Sequence, residues 1–202
     1  MVAVLVAVGL QLVLPDTVIS GLGPRWLVPT LEGVVGLALL VANPRHTVKS
    51  VHLRLASLLL IALVNVANLV SLAELVAALV NGSTHAAGRS LVFASVPIWL
   101  TNVIVFALWY WELDRGGPAA RLEDDHRAPD FLFPQMTAPS SSPHWTPGFV
   151  DYLYTSFTNA TAFSPTDTMP LTAWAKLLMM VQSFASLLTV ALVFSRAINI
   201  LG

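Results

Sequence analysis

Apolar residues in this chain come in long, nearly unbroken blocks, and polar residues cluster between them. A helix that crosses a bilayer needs about 20 apolar residues. Five blocks reach or approach that length: Val2–Ser20, Trp26–Ala42, Val51–Val80, Ser90–Glu112 and Leu171–Leu201. Their ends carry stop signals. Gly21-Leu22-Gly23-Pro24-Arg25 separates the first two, Asn43-Pro44 ends the second, and Asn81-Gly82-Ser83 follows the third. Proline and glycine there break a helix for want of a donor or of stiffness. Pro29 fits a first helical turn, where no amide donor is needed. The long third block predicts a tilted span or one projecting into water. The fourth ends in Trp109-Tyr110-Trp111, rings suited to a membrane–water interface. The first block lacks a basic leader and a small-residue cleavage site, so it reads as a span rather than a signal peptide.

One stretch departs from this plain pattern. Residues 149–162 alternate apolar Phe149, Tyr152, Leu153 and Phe157 with polar Thr155, Ser156, Thr158 and Asn159, which predicts one short amphipathic helix. At 1.5 Å per residue it reaches only part way across a membrane. Ala162–Met169 then reads as non-helical, with Pro165 inside it and Pro170 beside it. Irregular backbone at membrane depth is tolerated only where protein buries it or water lines it. Residues 113–148, with Gly116-Gly117-Pro118 and Glu123-Asp124-Asp125, read as a solvated connection too poor in apolar residues for a core of its own. The predicted fold class is therefore an all-α integral membrane protein, with five transmembrane helices and one re-entrant helix and loop before the last span.

Composition agrees with lipid as the solvent. Apolar residues make up 56% and charged residues 10% of the chain, and mean hydropathy is +0.75. Soluble domains carry roughly 25% charged residues. A net charge of −1 without a basic patch excludes a nucleic-acid partner. There are no cysteines, so disulfides and thiol chemistry are excluded. Sorting the ten cations over alternating spans puts Arg45, Lys49, Arg54, Arg115, Arg121, Arg127 and Lys176 on one side and Arg25, Arg89 and Arg196 on the other. The positive-inside rule then places the amino terminus and the 113–170 region in the cytoplasm, within a cell (plasma or inner) membrane.

Asp167, Pro170, Thr172, Ala175 and Lys176 match in order a pattern of known channels, Thr-Val-Gly-Tyr-Gly-Asp-x-x-Pro-x-Thr-x-x-Gly/Ala-Arg/Lys, with Thr161 at the position just before it. The segment resembles the pore region of the tetrameric potassium-channel superfamily, from about Tyr152 to Arg196. The resemblance implies a pore module over 90–202: outer helix 90–112, solvated loop 113–148, re-entrant helix and loop 149–170, inner helix 171–201. Residues 1–89 would supply three further amino-terminal helices. It implies a homotetramer that passes small ions or water, with Thr161, Ala162, Phe163, Ser164, Pro165, Thr166 and Asp167 as pore loop and filter. Ser156, Pro170, Trp174 and Lys176 would support that loop. Asp167 would bond back through Trp145 or Trp174, or supply a ring of negative charge.

The filter positions themselves depart from the family. Ala162-Phe163-Ser164-Pro165-Thr166 has neither glycine, and glycine is what lets successive carbonyls point inward at an ion. Potassium selectivity is therefore not expected. Gln182, Ser186 and Thr189 share one helical face. They read either as pore lining or as contacts between packed helices. Asn65, Asn68, Ser71 and Glu74 form a slanting polar arc. Glu32, inside the second block, is the more costly acid, with Arg54 as a candidate partner. No metal-ligand spacing, nucleophile motif or phosphate loop is present, so no enzyme activity, metal or cofactor is expected. Three functions follow: a channel-like pore, a non-conducting membrane protein with a plugged re-entrant hairpin, or a proton-coupled transporter using Glu32 and Glu74.

Overall fold

The computed structural model describes residues 2–14, 29–34, 37, 51–80, 85–122, 127–137, 145–161 and 167–201. Its helices in chain order are α1 (Val2–Leu12), α2 (Val51–Val80), α3 (His85–Leu113), α4 (Pro134–Thr137), α5 (Phe149–Thr161) and α6 (Ala173–Leu201). Residues 29–34 are helical as well. Two short strands, β1 (Phe131–Leu132) and β2 (Met169–Pro170), pair antiparallel with Phe131 opposite Pro170. The third and last predicted spans coincide closely with α2 and α6, and the fourth with α3. Of the first two, only Val2–Leu14 and residues 29–34 and 37 are described.

Three stretches are long and apolar enough to cross a bilayer: Val51–Ala77, Phe93–Gly116 and Ala173–Leu192. They are apolar on nearly every face, as helices surrounded by protein or lipid are. Leu59, Phe93, Met180 and Phe184 are each at least 61% exposed. A membrane location accommodates such side chains, whereas water would not.

Two apolar clusters fix the helix directions. At one level Val4, Ala7 and Val8 meet Leu60, Ile61 and Val64 of α2 and Val105 and Leu108 of α3. At the other, Leu14 meets Leu72 and Leu75, Ala94 and Ile98, and Ala185 of α6. Residue numbers rise together in α1 and α2 and fall in α3, so α3 runs antiparallel to both. α3 is the centre of the bundle: 67% of its most apolar stretch is buried, against 39% for α2 and 28% for α6. Pro97 lies inside α3. It leaves the carbonyl four residues earlier without its helical donor.

The chain reverses at the end of α3 through Arg115, Gly116 and Gly117, with φ of 52°, 82° and 103°. Glycine takes positive φ at no steric cost, and Arg115 does so against its Cβ. A Cβ on Gly117 would stand 3.0 Å from the Glu112 carbonyl oxygen, with Arg54 Nε 3.6 Å away. Arg54 thus lies beside Gly117 and Glu112, and not beside Glu32 as the sequence suggested.

The 113–148 connection is more than a solvated loop. Phe131 and Phe133 are buried with Phe106, Tyr110, Tyr152 and Ala175 in a third cluster. Their rings meet Tyr152 edge-on, with centroids 6.3 and 5.2 Å away. Composition concealed this because the burial rests on two rings in a polar segment.

The turn gives a direct test. Gly117→Ala lowers stability by about 1–3 kcal/mol, through its positive φ and the crowded carbonyl. Gly9→Ala, where a Cβ meets nothing within 4 Å, raises stability by up to about 1 kcal/mol, as expected for a glycine inside a helix. Thermal unfolding of the two variants in detergent reads both signs.

Candidate functional site

α5 is 13 residues long, or roughly 20 Å at 1.5 Å per residue, against a hydrocarbon core of about 30 Å. Asp151 starts it. The Gly148 amide donates to its carboxylate at 2.7 Å, in the manner of a capping box, and an acid suits the positive end of a helix. Tyr152, Thr155, Ser156 and Ala160 are buried, while Val150, Tyr154 and Phe157 are exposed. Tyr152 and Ser156, and then Ala160, recur every fourth residue and so form one inward face.

The other end of α5 poses the harder problem. The last four carbonyls of a helix lack intrahelical donors, here those of residues 158–161. Thr158 O accepts from Thr161 Oγ1 at 2.9 Å. Asn159 O accepts from Ser183 Oγ at 3.4 Å and Ala160 O from Ser186 Oγ at 2.5 Å. Two of these donors come from α6. One turn earlier, Ser156 O accepts from Gln182 Nε2 at 2.9 Å. Residues 182, 183 and 186 of α6 thus form a comb of donors along the end of α5.

Gln182 is the hub of that comb and is fully buried. Its Nε2 also donates to Ser156 Oγ at 2.6 Å. Its Oε1 accepts from Tyr110 Oη at 2.5 Å and from Asn159 Nδ2 at 2.8 Å. Both donors and both acceptor positions of the amide are therefore used. Ser156 Oγ donates on to Val103 O of α3 at 2.6 Å. Trp99 Nε1 donates to Ser186 Oγ at 2.7 Å, and the Trp99 ring meets Phe157 edge-on at 5.7 Å. α5 is thereby tied to α3 as well as α6.

After α5 the chain comes back. Thr168 Oγ1 is 3.2 Å from Thr155 Oγ1, and β2 has returned to the level of Phe131. Leu171 N donates to Asp130 O at 2.8 Å, and α6 then descends beside α5.

A second polar cluster anchors the start of α5. Asp114 is fully buried. It accepts from Tyr152 Oη at 2.5 Å and from the Asp130 amide at 2.9 Å, and Arg115 Nε lies 3.6 Å away. Burial pushes the Tyr152 phenol above its ordinary range; Arg121 opposes this and Asp114 reinforces it. The hydroxyl therefore remains a donor at physiological pH. Asp130 accepts from Arg115 N and from Trp174 Nε1, each at 2.9 Å. Arg121 Nη1 donates to the carbonyls of Trp111 and Asp114 at 2.7 and 2.9 Å, closing the end of α3 with a positive group.

The sequence-predicted residues fall into three groups. Ser156, Gln182 and Ser186 meet in the comb. Thr189 is buried and donates to Ala185 O of its own helix at 2.8 Å. The stripe of Gln182, Ser186 and Thr189 thus faces protein within the chain. Thr161 is half-buried, Asp167 and Lys176 are exposed, and Pro170 is in β2. Ala162, Phe163, Ser164, Pro165 and Thr166 lie outside the described residues. Trp174 bonds Asp130 rather than Asp167, and Trp145 packs on Phe133 at 5.5 Å, so neither ring ties down Asp167. Sequence reading missed Tyr110, Asp114, Arg121, Asp130 and Asn159. Tyr110 entered only as an interfacial ring, Arg121 only as a loop cation and Asn159 only as a polar position of the short helix, and no signal marked Asp114 or Asp130. Among the described residues no group of three or more potential metal ligands occurs.

Compared with protein-family models, curated proteins and solved structures, the chain matches none.

The comb predicts graded stability losses. Gln182→Leu strands Tyr110 Oη and removes one partner each from Asn159 Nδ2, Ser156 O and Ser156 Oγ, and lowers stability by about 2 kcal/mol or more. Ser186→Ala lowers it by about 1 kcal/mol. Thr189→Val, which removes a bond within one helix, stays within about 0.5 kcal/mol of the parent. Detergent-phase unfolding of the three variants checks the order.

Proposed function

We propose that this chain is a channel-like integral membrane protein of five spans, whose carboxyl-terminal half forms a homo-oligomeric pore. The observation that carries this reading is the half-length α5. It runs in beside α6, has its carbonyl end closed inside the bundle, and is followed by a chain that returns by Thr168. Irregular backbone held at depth by protein is the material of ion pathways. Four copies, as the resemblance implies, would set the Thr161–Asp167 loops around one axis, because one such loop cannot enclose a path.

The inward stripe on α6 changes the expected lining. In an assembly with α6 nearest the axis, the wider path is bounded by Leu177, Met180, Val181, Phe184 and Leu187, which are exposed on the single chain. Selectivity then rests with the loop, in which Thr161, Ser164 and Thr166 would offer hydroxyls or carbonyls to an ion or water and Asp167 would supply negative charge. Without filter glycines the permeant is a small cation or water, not selectively potassium. The amino terminus and the 113–170 region face the cytoplasm in this reading.

The completeness of the buried comb favours one second reading, a re-entrant hairpin that plugs the bundle and conducts nothing. Reconstitution separates the two. The channel reading expects an oligomer by native mass spectrometry and cation flux through liposomes that drops several-fold in Asp167→Ala. A monomer, or liposomes that stay sealed at high protein density, leaves the plugged hairpin.

A further inference from the structure

We propose that the carboxyl group of Glu32 is a binding site for a single proton inside the amino-terminal bundle. This inference stands apart from the pore reading and uses none of its residues. Glu32 is fully buried and Gln11 of α1 is 5% exposed. Gln11 faces the carboxyl group without completing a hydrogen bond. Both Glu32 oxygens and Gln11 Nε2 lack partners among the described residues.

The register explains why this place is polar. Gln11 falls between Val8 of one apolar cluster and Leu14 of the other. Asn68 of α2 and Asn102 of α3 fall in the same gap, each 2% exposed. A polar layer therefore crosses the bundle between two apolar ones, and Glu32 is the acid beside it.

Among the described residues no cation is placed to compensate a carboxylate there. Residues 2–14 of α1 carry no charged side chain, and neither do α2 from Leu55 to Ala73, α3 from Phe93 to Trp111, or α6 from Leu177 to Leu192. Glu74 of α2 has a contact of its own. Arg54 lies with Glu112 beside Gly117, at the far end of α2 from Glu74. An unpaired charge inside a membrane costs a few kcal/mol. A carboxylic acid removes that charge and matches the facing amide: its O–H donates to the Gln11 carbonyl, and its second oxygen accepts from Gln11 Nε2.

Infrared difference spectroscopy of the full chain in liposomes tests the site. The chain has four glutamates, Glu32, Glu74, Glu112 and Glu123. The proposal expects a protonated-carboxyl C=O band at neutral pH that shifts in D2O. Carbon-13 labelling of glutamate moves that band, Glu32→Gln removes it, and Glu74→Gln and Glu112→Gln keep it. Glu32→Asp, which retains the acid, moves the band out of reach of the glutamate label and covers the case in which Glu32→Gln does not accumulate. A spectrum without a glutamic-acid band, or a band untouched by both Glu32 substitutions, overturns the proposal.

Discussion

A helix that stops within a packed bundle leaves a row of carbonyl oxygens facing the interior, and those oxygens need donors. This constraint organises the carboxyl-terminal half of the molecule. Water satisfies a helix end at a surface, but at membrane depth each orphan group costs several kcal/mol. α5 meets the constraint with hydroxyl and amide donors, mainly from α6. Ser183 and Ser186 reach Asn159 O and Ala160 O, and Gln182 reaches Ser156 O. Relative placement of α5 and α6 follows from those bonds, because a shift of one turn would break all of them together. The comb also has an electrostatic consequence. The negative end of the α5 dipole is answered by hydroxyl donors inside the chain, so it is less available to any cation.

The opposite end of α5 is fixed by a different chemistry. There Tyr152 bonds Asp114, Asp130 links Arg115 to Trp174, and Phe131 and Phe133 wedge between the aromatic rings. One end of the helix is thus held by charged and aromatic groups at the mouth of the bundle, the other by neutral donors in its interior. Both sets lead to α3, through Asp114 and Tyr110 at one end and Trp99 and Val103 at the other. That accounts for the deep burial of α3 and for its tolerance of Pro97, since neighbours on several sides hold it in place.

The long spans were legible in the sequence because an apolar block of 20 or more residues has few alternatives to a helix. Val51–Val80 is helical over its predicted length. The short helix was legible from the spacing of Tyr152 and Ser156, and its end near Thr161 from Pro165 shortly after it in the sequence. Direction was not legible. Gln182, Ser186 and Thr189 share a face by spacing alone, yet spacing says nothing of what that face meets. The structure turns it toward α5 and α3. Asp130 and Arg121 were hidden for a related reason: each sits in a polar segment whose burial depends on rings far away in sequence. The Trp174 partner was misassigned because the resemblance pointed to Asp167, whereas β1 brings Asp130 closer.

The account's central claim is that the polar stripe of α6 closes the end of α5 and does not face an aqueous path. Thiol accessibility tests it most directly, because the chain has no native cysteine. Single variants Gln182→Cys and Ser186→Cys, assembled in native membranes, would be treated with a hydrophilic thiol reagent, with Asp167→Cys as the exposed reference. The account predicts that position 167 labels readily and that 182 and 186 stay unlabelled until the protein is unfolded. Rapid labelling of 182 and 186 in the folded protein would contradict it.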